Sequence, residues 1–275
     1  MLSNPSIPTV LATGLAFPEG PVLSRDGGTL YCVNIEASFL SRLDLATRTL
    51  TREWLTLPDG GRGNGATLGP DGALYVADVG AKRIVRISLA NDPAPGPVTT
   101  VADTNHVGAT LRGPNDLIFA PDGSLYFTDP QDSWHDPIGA VYKIHATTRH
   151  VSRVADGLRY PNGLALSQDA QTLYVAQTPL GRIDALDLAS GVLRPFARVS
   201  ETGGPDGLRL GPEGCLYAAI FGDGVVAKVS PQGEVLARLP VGGRNPTNLC
   251  FAPHARALYV TEAETHSLIC LPLSA

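Results

Sequence analysis

Six positions recur at a steady interval and carry side-chain oxygen: Glu19, Asn64, Asn115, Asn162, Asp206 and Thr247, separated by 45, 51, 47, 44 and 41 residues. Each stands seven residues before a turn residue, namely Asp26, Asp71, Asp122, Asp169, Glu213 or His254. A register that brings the six to one axis makes a ring of oxygen donors, which is what a hard cation takes. Glu19 and Asp206 are the ionised members, and their combined charge of −2 matches a divalent ion. Without a cation, two carboxylates confined together repel each other. Asn, Asp and Thr are common at strand ends for reasons of local turn chemistry. The metal reading therefore rests on Glu19, Asn115, Asn162 and Asp206 sharing one register, not on any one of them.

A second set of polar residues lies three positions past a recurring Tyr: Asn34, Asp78, Asp129, Gln177 and Glu262, with Ile220 as the sixth member. The expectation is a polar cup above the metal, suited to a hydroxyl-rich substrate. His135, in the loop after Asp129, reads first as a solvated loop histidine and second as one that reaches that mouth. Other chemistries lack their motifs. No GxSxG elbow is present. The six histidines form no HxH or HExxH cluster, and there is no GxGxxG or GxxxxGK[ST].

The elements that must position these residues are read from a repeat. The pair Leu-Tyr occurs at 30–31, 74–75, 125–126, 173–174, 216–217 and 258–259. Each pair follows an apolar run and a turn, as in RGPNDLIFAPDGSLYFTDP and RYPNGLALSQDAQTLYVAQ, which reads as a strand, a tight turn and a second strand. Gly follows four of the six turn residues, where φ > 0 is needed. Further strand-like runs, Arg83–Ser88, Ala140–Ile144 and Val225–Val229 among them, fill the intervals. The period is that of a four-stranded propeller blade. The chain is therefore all-β, a six-bladed β-propeller forming one domain over residues 1–275. The ring must close, and Thr9–Thr13 is expected to add the outer strand of the last blade beside Ser267–Leu271, which protects a sheet edge.

Bulk composition agrees. The chain has 43% hydrophobic and 17% charged residues, a net charge of −5, and 30 Gly and 23 Pro against a single Met. Such composition suits a large core with many turns. No basic run points to nucleic acid, and no apolar run is long enough to span a membrane. The first 19 residues show no secretory pattern. The four cysteines, at 32, 215, 250 and 270, show no CxxC spacing and are expected as reduced core residues. A cytoplasmic monomer or small homo-oligomer is the expectation.

The segments FPEGPVLS, GPNDLIFAPDGSLYFTDP, YPNGLALSQDAQTLYV, GPDGLRLGPEGCLYAA and NPTNLCF…LYVTEA, in order and at blade spacing, resemble the regucalcin, gluconolactonase and luciferin-regenerating-enzyme family. The resemblance spans essentially the whole chain. It implies a metal-dependent hydrolase of sugar lactones, with Glu19, Asn162 and Asp206 as metal ligands and Asn115 on or near the metal and touching substrate. The implied cofactor is one divalent metal, with calcium favoured by the oxygen-only donor set and zinc, manganese and magnesium as alternatives. Asp206 is the implied proton-transfer group while the metal polarises the lactone carbonyl; Asp129 is the second candidate. Asn64, Asn115, Arg112 and Asp129 are read as substrate contacts. Vertebrate members carry a substrate-binding Arg two residues before the Asn of this motif. Here that position is Gly113 and Arg112 stands one residue earlier, so the segment is more similar to bacterial lactonases. The alternatives are a phosphotriesterase-like hydrolase at the same metal and a non-catalytic calcium-binding propeller.

Overall fold

The computed structural model describes residues 7–107, 111–130 and 132–273. Twenty-four strands form six four-stranded antiparallel sheets. In chain order, the innermost strands of the six blades are Pro18–Leu23, Gly63–Leu68, Leu117–Phe119, Pro161–Leu166, Gly204–Leu210 and Pro246–Phe251. Each is followed outward by three more strands, except in blade 6. There Thr9–Ala12 supplies the fourth, pairing with Ser267–Pro272 in the register Thr9↔Cys270, Val10↔Ile269. The ring closes as the sequence implies. Among the described residues, helix is confined to Thr104–Val107 and two short 3-10 turns. Among the described residues, no helix is long and apolar enough to cross a membrane.

The Leu-Tyr pair is the device that holds the ring together. Successive side chains on a strand point to opposite faces. In a propeller both faces of a blade are buried against neighbours, so both members of the pair must be apolar. Leu30 packs into the cluster shared with blade 6 and Tyr31 into the cluster shared with blade 2. Leu74 and Tyr75 divide between the clusters shared with blades 1 and 3. The division holds through Leu125/Tyr126, Leu173/Tyr174, Leu216/Tyr217 and Leu258/Tyr259. The core is therefore six clusters, one per blade interface.

The hairpin turns are built as their residues dictate. The side chains of Asp26, Asp71, Asp122 and Asp169 each accept the amide two residues on, at 3.0, 3.2, 2.8 and 3.1 Å. The next residue takes a left-handed conformation, φ 74 at Gly27 and 82 at Gly123. In the two blades without Gly, Ala170 and Ala255 adopt the same conformation, φ 54 and 52, so the blade geometry overrides the residue's preference. All four cysteines are free thiols.

Candidate functional site

The inner strands converge on the axis, and the residue after each repeating oxygen donor decides how closely they approach. That residue is Gly20, Gly65, Gly163 and Gly207 in blades 1, 2, 4 and 5, but Asp116 and Asn248 in blades 3 and 6. The glycines leave no room for a side chain. A Cβ on Gly163 would sit 2.2 Å from the Asp206 carbonyl oxygen, and one on Gly207 would sit 2.2 Å from the Asn248 side chain. Blades 3 and 6 face each other across the ring. Asp116 and Asn248 meet there, with Asn248 Nδ2 3.5 Å from Asp116 Oδ2. The same nitrogen donates to Glu19 Oε2 at 3.0 Å, and that oxygen also accepts the Gly20 amide.

Five of the six repeating donors line one cavity of about 320 Å³ at this end of the axis: Glu19, Asn64, Asn115, Asn162 and Asp206. Thr247 does not join them. It is fully buried, and its hydroxyl donates to the Pro18 carbonyl at 2.7 Å, which ties blade 6 to blade 1. Glu19, Asn115, Asn162 and Asp206 are all under 10% exposed. Burial, then the charges of Asp206 and Asp116, push the Glu19 carboxyl well above its usual range. Burial, then Asp116, does the same to Asp206, with partial relief from the Asn162 amide. Asp116 is raised by burial and partly compensated by the Arg209 guanidinium, 3.9 Å away.

The donor set fits a hard cation on two observations. Asn115 Oδ1 is buried and has no hydrogen-bond partner among the described residues, although a buried acceptor of this kind is costly to leave unpaired. The same cavity holds the two buried carboxylates of Glu19 and Asp206, raised by burial and by neighbouring carboxylates, Asp206 and Asp116 for Glu19 and Asp116 for Asp206. A cation held by oxygen atoms satisfies both needs at once. Among the described residues, no group of three or more His, Cys, Asp or Glu side chains is arranged to hold a metal ion by itself, so amide oxygens are integral to the set.

The second polar register is where the structure departs from the sequence reading. Asn34, Asp78, Asp129, Gln177 and Glu262 are 0–3% exposed and line no mouth. Each accepts a backbone amide from the segment that leads into its own blade's inner strand. Asn34 takes Ala16, Asp78 takes Arg62, Gln177 takes Arg159 and Glu262 takes Asn245, at 2.7–2.9 Å. Asp129 takes two, Arg112 at 3.0 Å and Gly113 at 2.9 Å. These segments cross from one blade to the next and need acceptors for their amides. Asp129 therefore fixes the backbone before Asn115 and is not brought to the substrate cavity. Arg112 is exposed and lines a second hollow of about 410 Å³ that shares Asn64, Asn115, Val79 and Tyr160 with the first.

The cavity wall is more aromatic than the sequence implies. Phe17, Phe221, Trp134 and Tyr160 line it, with Ile35 and Val79. Trp134 and Tyr160 pack edge to face at 5.1 Å, and Trp134, not His135, reaches the opening. Phe17 and Tyr160 stand two residues before Glu19 and Asn162, and both hold positive φ, 53 and 40. Bulky residues rarely adopt that region, and strain of this kind gathers at functional sites. The aromatic residues lie in connecting segments without periodicity. Asp116 and Asn248 did leave a signal, as the two exceptions in a register otherwise filled by Gly.

Comparison with known proteins places this geometry among relatives. The profile of the SMP-30/Gluconolactonase/LRE-like region matches residues 17–264. A gluconolactonase of Zymomonas mobilis is 27% identical over 297 aligned positions, covering 92% of this chain and 78% of the relative. The structure of a gluconolactonase from Xanthomonas campestris superposes with a TM-score of 0.81 at 27% identity, covering 98% of this chain and 90% of the other. A calcium-binding protein, regucalcin, from Agrobacterium tumefaciens shares the fold with a TM-score of 0.81 at 23% identity, covering 97% and 94%.

Proposed function

The chain belongs to the SMP-30/gluconolactonase/LRE-like family, and from that premise we propose that it is a divalent-metal-dependent hydrolase of sugar lactones. The observation that carries the reading is the cavity floor, where the unpartnered Asn115 Oδ1 adjoins the two buried carboxylates Glu19 and Asp206. Glu19, Asn115, Asn162 and Asp206 are the residues that would hold the metal, calcium first. When bound there, a divalent cation supplies a Lewis acid for the lactone carbonyl and acidifies water.

The chain's own side chains supply the rest. Asp206 is the more exposed of the two floor carboxylates, at 9% against 2% for Glu19. In this reading it takes the proton from the attacking water and returns it to the departing ring oxygen. Asn162 steadies it, because the Asn162 amide bonds both the Asp206 carboxylate and Thr178 Oγ1. Glu19 is anchored by Asn248 and the Gly20 amide, so it orients and does not shuttle. Asn64 and Asn115 present amides to substrate hydroxyls. Phe17, Trp134, Tyr160 and Phe221 cover the C–H faces of a sugar ring and keep out bulk water.

The test is hydrolysis of a lactone panel, with a phosphotriester alongside, by protein stripped of metal and then reloaded with calcium, zinc, manganese or magnesium. Lactone turnover should appear only after reloading. Asp206→Asn should keep the fold and lose at least about 100-fold in kcat. Turnover of the phosphotriester but of no lactone would replace the substrate class. Full activity in Asp206→Asn would remove Asp206 from proton transfer.

A further inference from the structure

We propose that the hollow beside the active-site cavity is an anion subsite, and that the substrate is a lactone carrying a carboxylate or phosphate at the end away from its carbonyl. The inference rests on the lactone-hydrolase reading and narrows its substrate class.

Three cations line this flank. Arg62 lines the main cavity together with Glu19 and Asp206; Lys82 and Arg112 line the adjoining hollow of about 410 Å³. The two spaces share Asn64 and Asn115, so a ligand seated over the oxygen floor extends directly past these cations. Among the described residues, none of the three side chains has an ion pair or hydrogen bond. Nine of the chain's other arginines are paired with carboxylates. Among the described residues, Asp132 is the one acid on the hollow's wall. The flank is thus locally positive in a chain of net charge −5.

The flank is also held in place. Asp78 accepts the Arg62 amide at 2.8 Å and the Ala81 amide, next to Lys82, at 3.0 Å. Asp129 accepts the Arg112 and Gly113 amides. The two buried acids that face no cavity are therefore the clasps that set the backbone of all three cations, and a preorganised backbone loses little entropy when a ligand binds. Position matters as much as type. Arg159 and Arg244 stand at the same offset before the donors of blades 4 and 6, yet they line neither space. Planar guanidinium groups match carboxylate and phosphate oxygens in pairs, and the oxygen floor itself repels an anion, so the charged end must lie on this side.

The test compares gluconolactone, gluconolactone phosphorylated on its terminal carbon, and glucarolactone, whose terminal carbon is a carboxylate. Metal-loaded protein should favour one or both anionic lactones by about tenfold or more in kcat/KM, with KM for them rising as salt is added. Arg62→Ala and Arg112→Ala should each raise KM for the anionic lactone about tenfold. The loss on the neutral lactone should be much smaller than on the anionic one, while Arg244→Ala changes neither. The two anionic arms separate phosphate from carboxylate. Equal use of neutral and anionic lactones, or equal losses on both in the arginine variants, would overturn the proposal. If no lactone is hydrolysed, the lactone reading fails on its own, and calorimetric titration of the open-chain acids decides the subsite. Phosphogluconate or glucarate binding more tightly than gluconate, and losing that margin in Arg112→Ala, supports it; equal binding ends it.

Discussion

Glu19→Gln should make the metal-free protein more stable and at the same time abolish its stabilisation by calcium. Asn248 Nδ2 lies 3.0 Å from Glu19 Oε2 and 3.5 Å from Asp116 Oδ2, so the two carboxylate oxygens are separated by at most the sum of these distances. At about 6.5 Å, two unit charges repel by roughly 2.5 kcal/mol at an effective dielectric near 20. Asp206 adds to this, since its charge ranks ahead of Asp116 in raising the Glu19 carboxyl. Without metal, the protein bears this cost either as repulsion or by binding a proton that the unfolded chain does not hold. Gln removes it in both cases. Its carbonyl can still accept the Gly20 and Asn248 donors.

The expected gain is about 2–3 kcal/mol, or a rise in Tm of roughly 4–5 °C for a domain of this size. Wild type should gain about 2.7 kcal/mol from calcium at 100 times its Kd, and the variant nothing. Thermal melts of chelated and calcium-loaded protein give all four values. A metal-free variant melting at or below wild type would refute the claim that the floor holds uncompensated charge. A calcium shift as large in the variant as in wild type would remove Glu19 from the metal set.

Two further outcomes probe the scaffold. Gly163→Ala puts a Cβ 2.2 Å from the Asp206 carbonyl and 2.6 Å from the Leu208 nitrogen, both backbone atoms; denaturant melts should show a loss of about 3 kcal/mol or failure to fold. Asp129→Ala strips the acceptor from the Arg112 and Gly113 amides, so stability should fall by about 2–4 kcal/mol while kcat at saturating substrate falls less than tenfold, whereas a loss of kcat matching that of Asp206→Asn would restore Asp129 to the chemistry.

The fold was legible because its signal is redundant. Leu30 and Tyr31 serve opposite blade interfaces, so both must be apolar, and a requirement repeated six times shows up in composition as well as in spacing. The convergence of Glu19, Asn115, Asn162 and Asp206 on one cavity was legible for the same reason, since they keep a fixed distance from recognisable turn residues. Asp129 was misplaced because alternation along a strand tells which face a side chain takes, not which amide meets it there. Its partners, Arg112 and Gly113, lie in a crossing segment whose path no period encodes. Phe17, Trp134 and Tyr160 escaped for that reason too: they belong to connections between strands, and two of them hold conformations that their residue types disfavour.

The axial residues carry a pattern that neither register reveals alone. The acids Glu19, Asp116 and Asp206 come from blades 1, 3 and 5, so no two adjoining blades contribute one. Amides come from the blades between, Asn64 from blade 2, Asn162 from blade 4 and Asn248 from blade 6, with Asn115 sharing blade 3 with Asp116. Asn248 donates to Glu19 and approaches Asp116 across the axis, and Asn162 bonds Asp206. Alternation keeps like charges as far apart as a six-membered ring permits, and it gives each acid amide neighbours on both sides. Three carboxylates against the one guanidinium of Arg209 leave a net charge of about −2 on the axis, the complement of a divalent ion. The sequence reading reached the same charge from Glu19 and Asp206 alone. Adding Asp116 leaves that sum unchanged because the Arg209 guanidinium stands 3.9 Å from it, so a divalent ion bound as proposed would balance only the two acids that face the cavity.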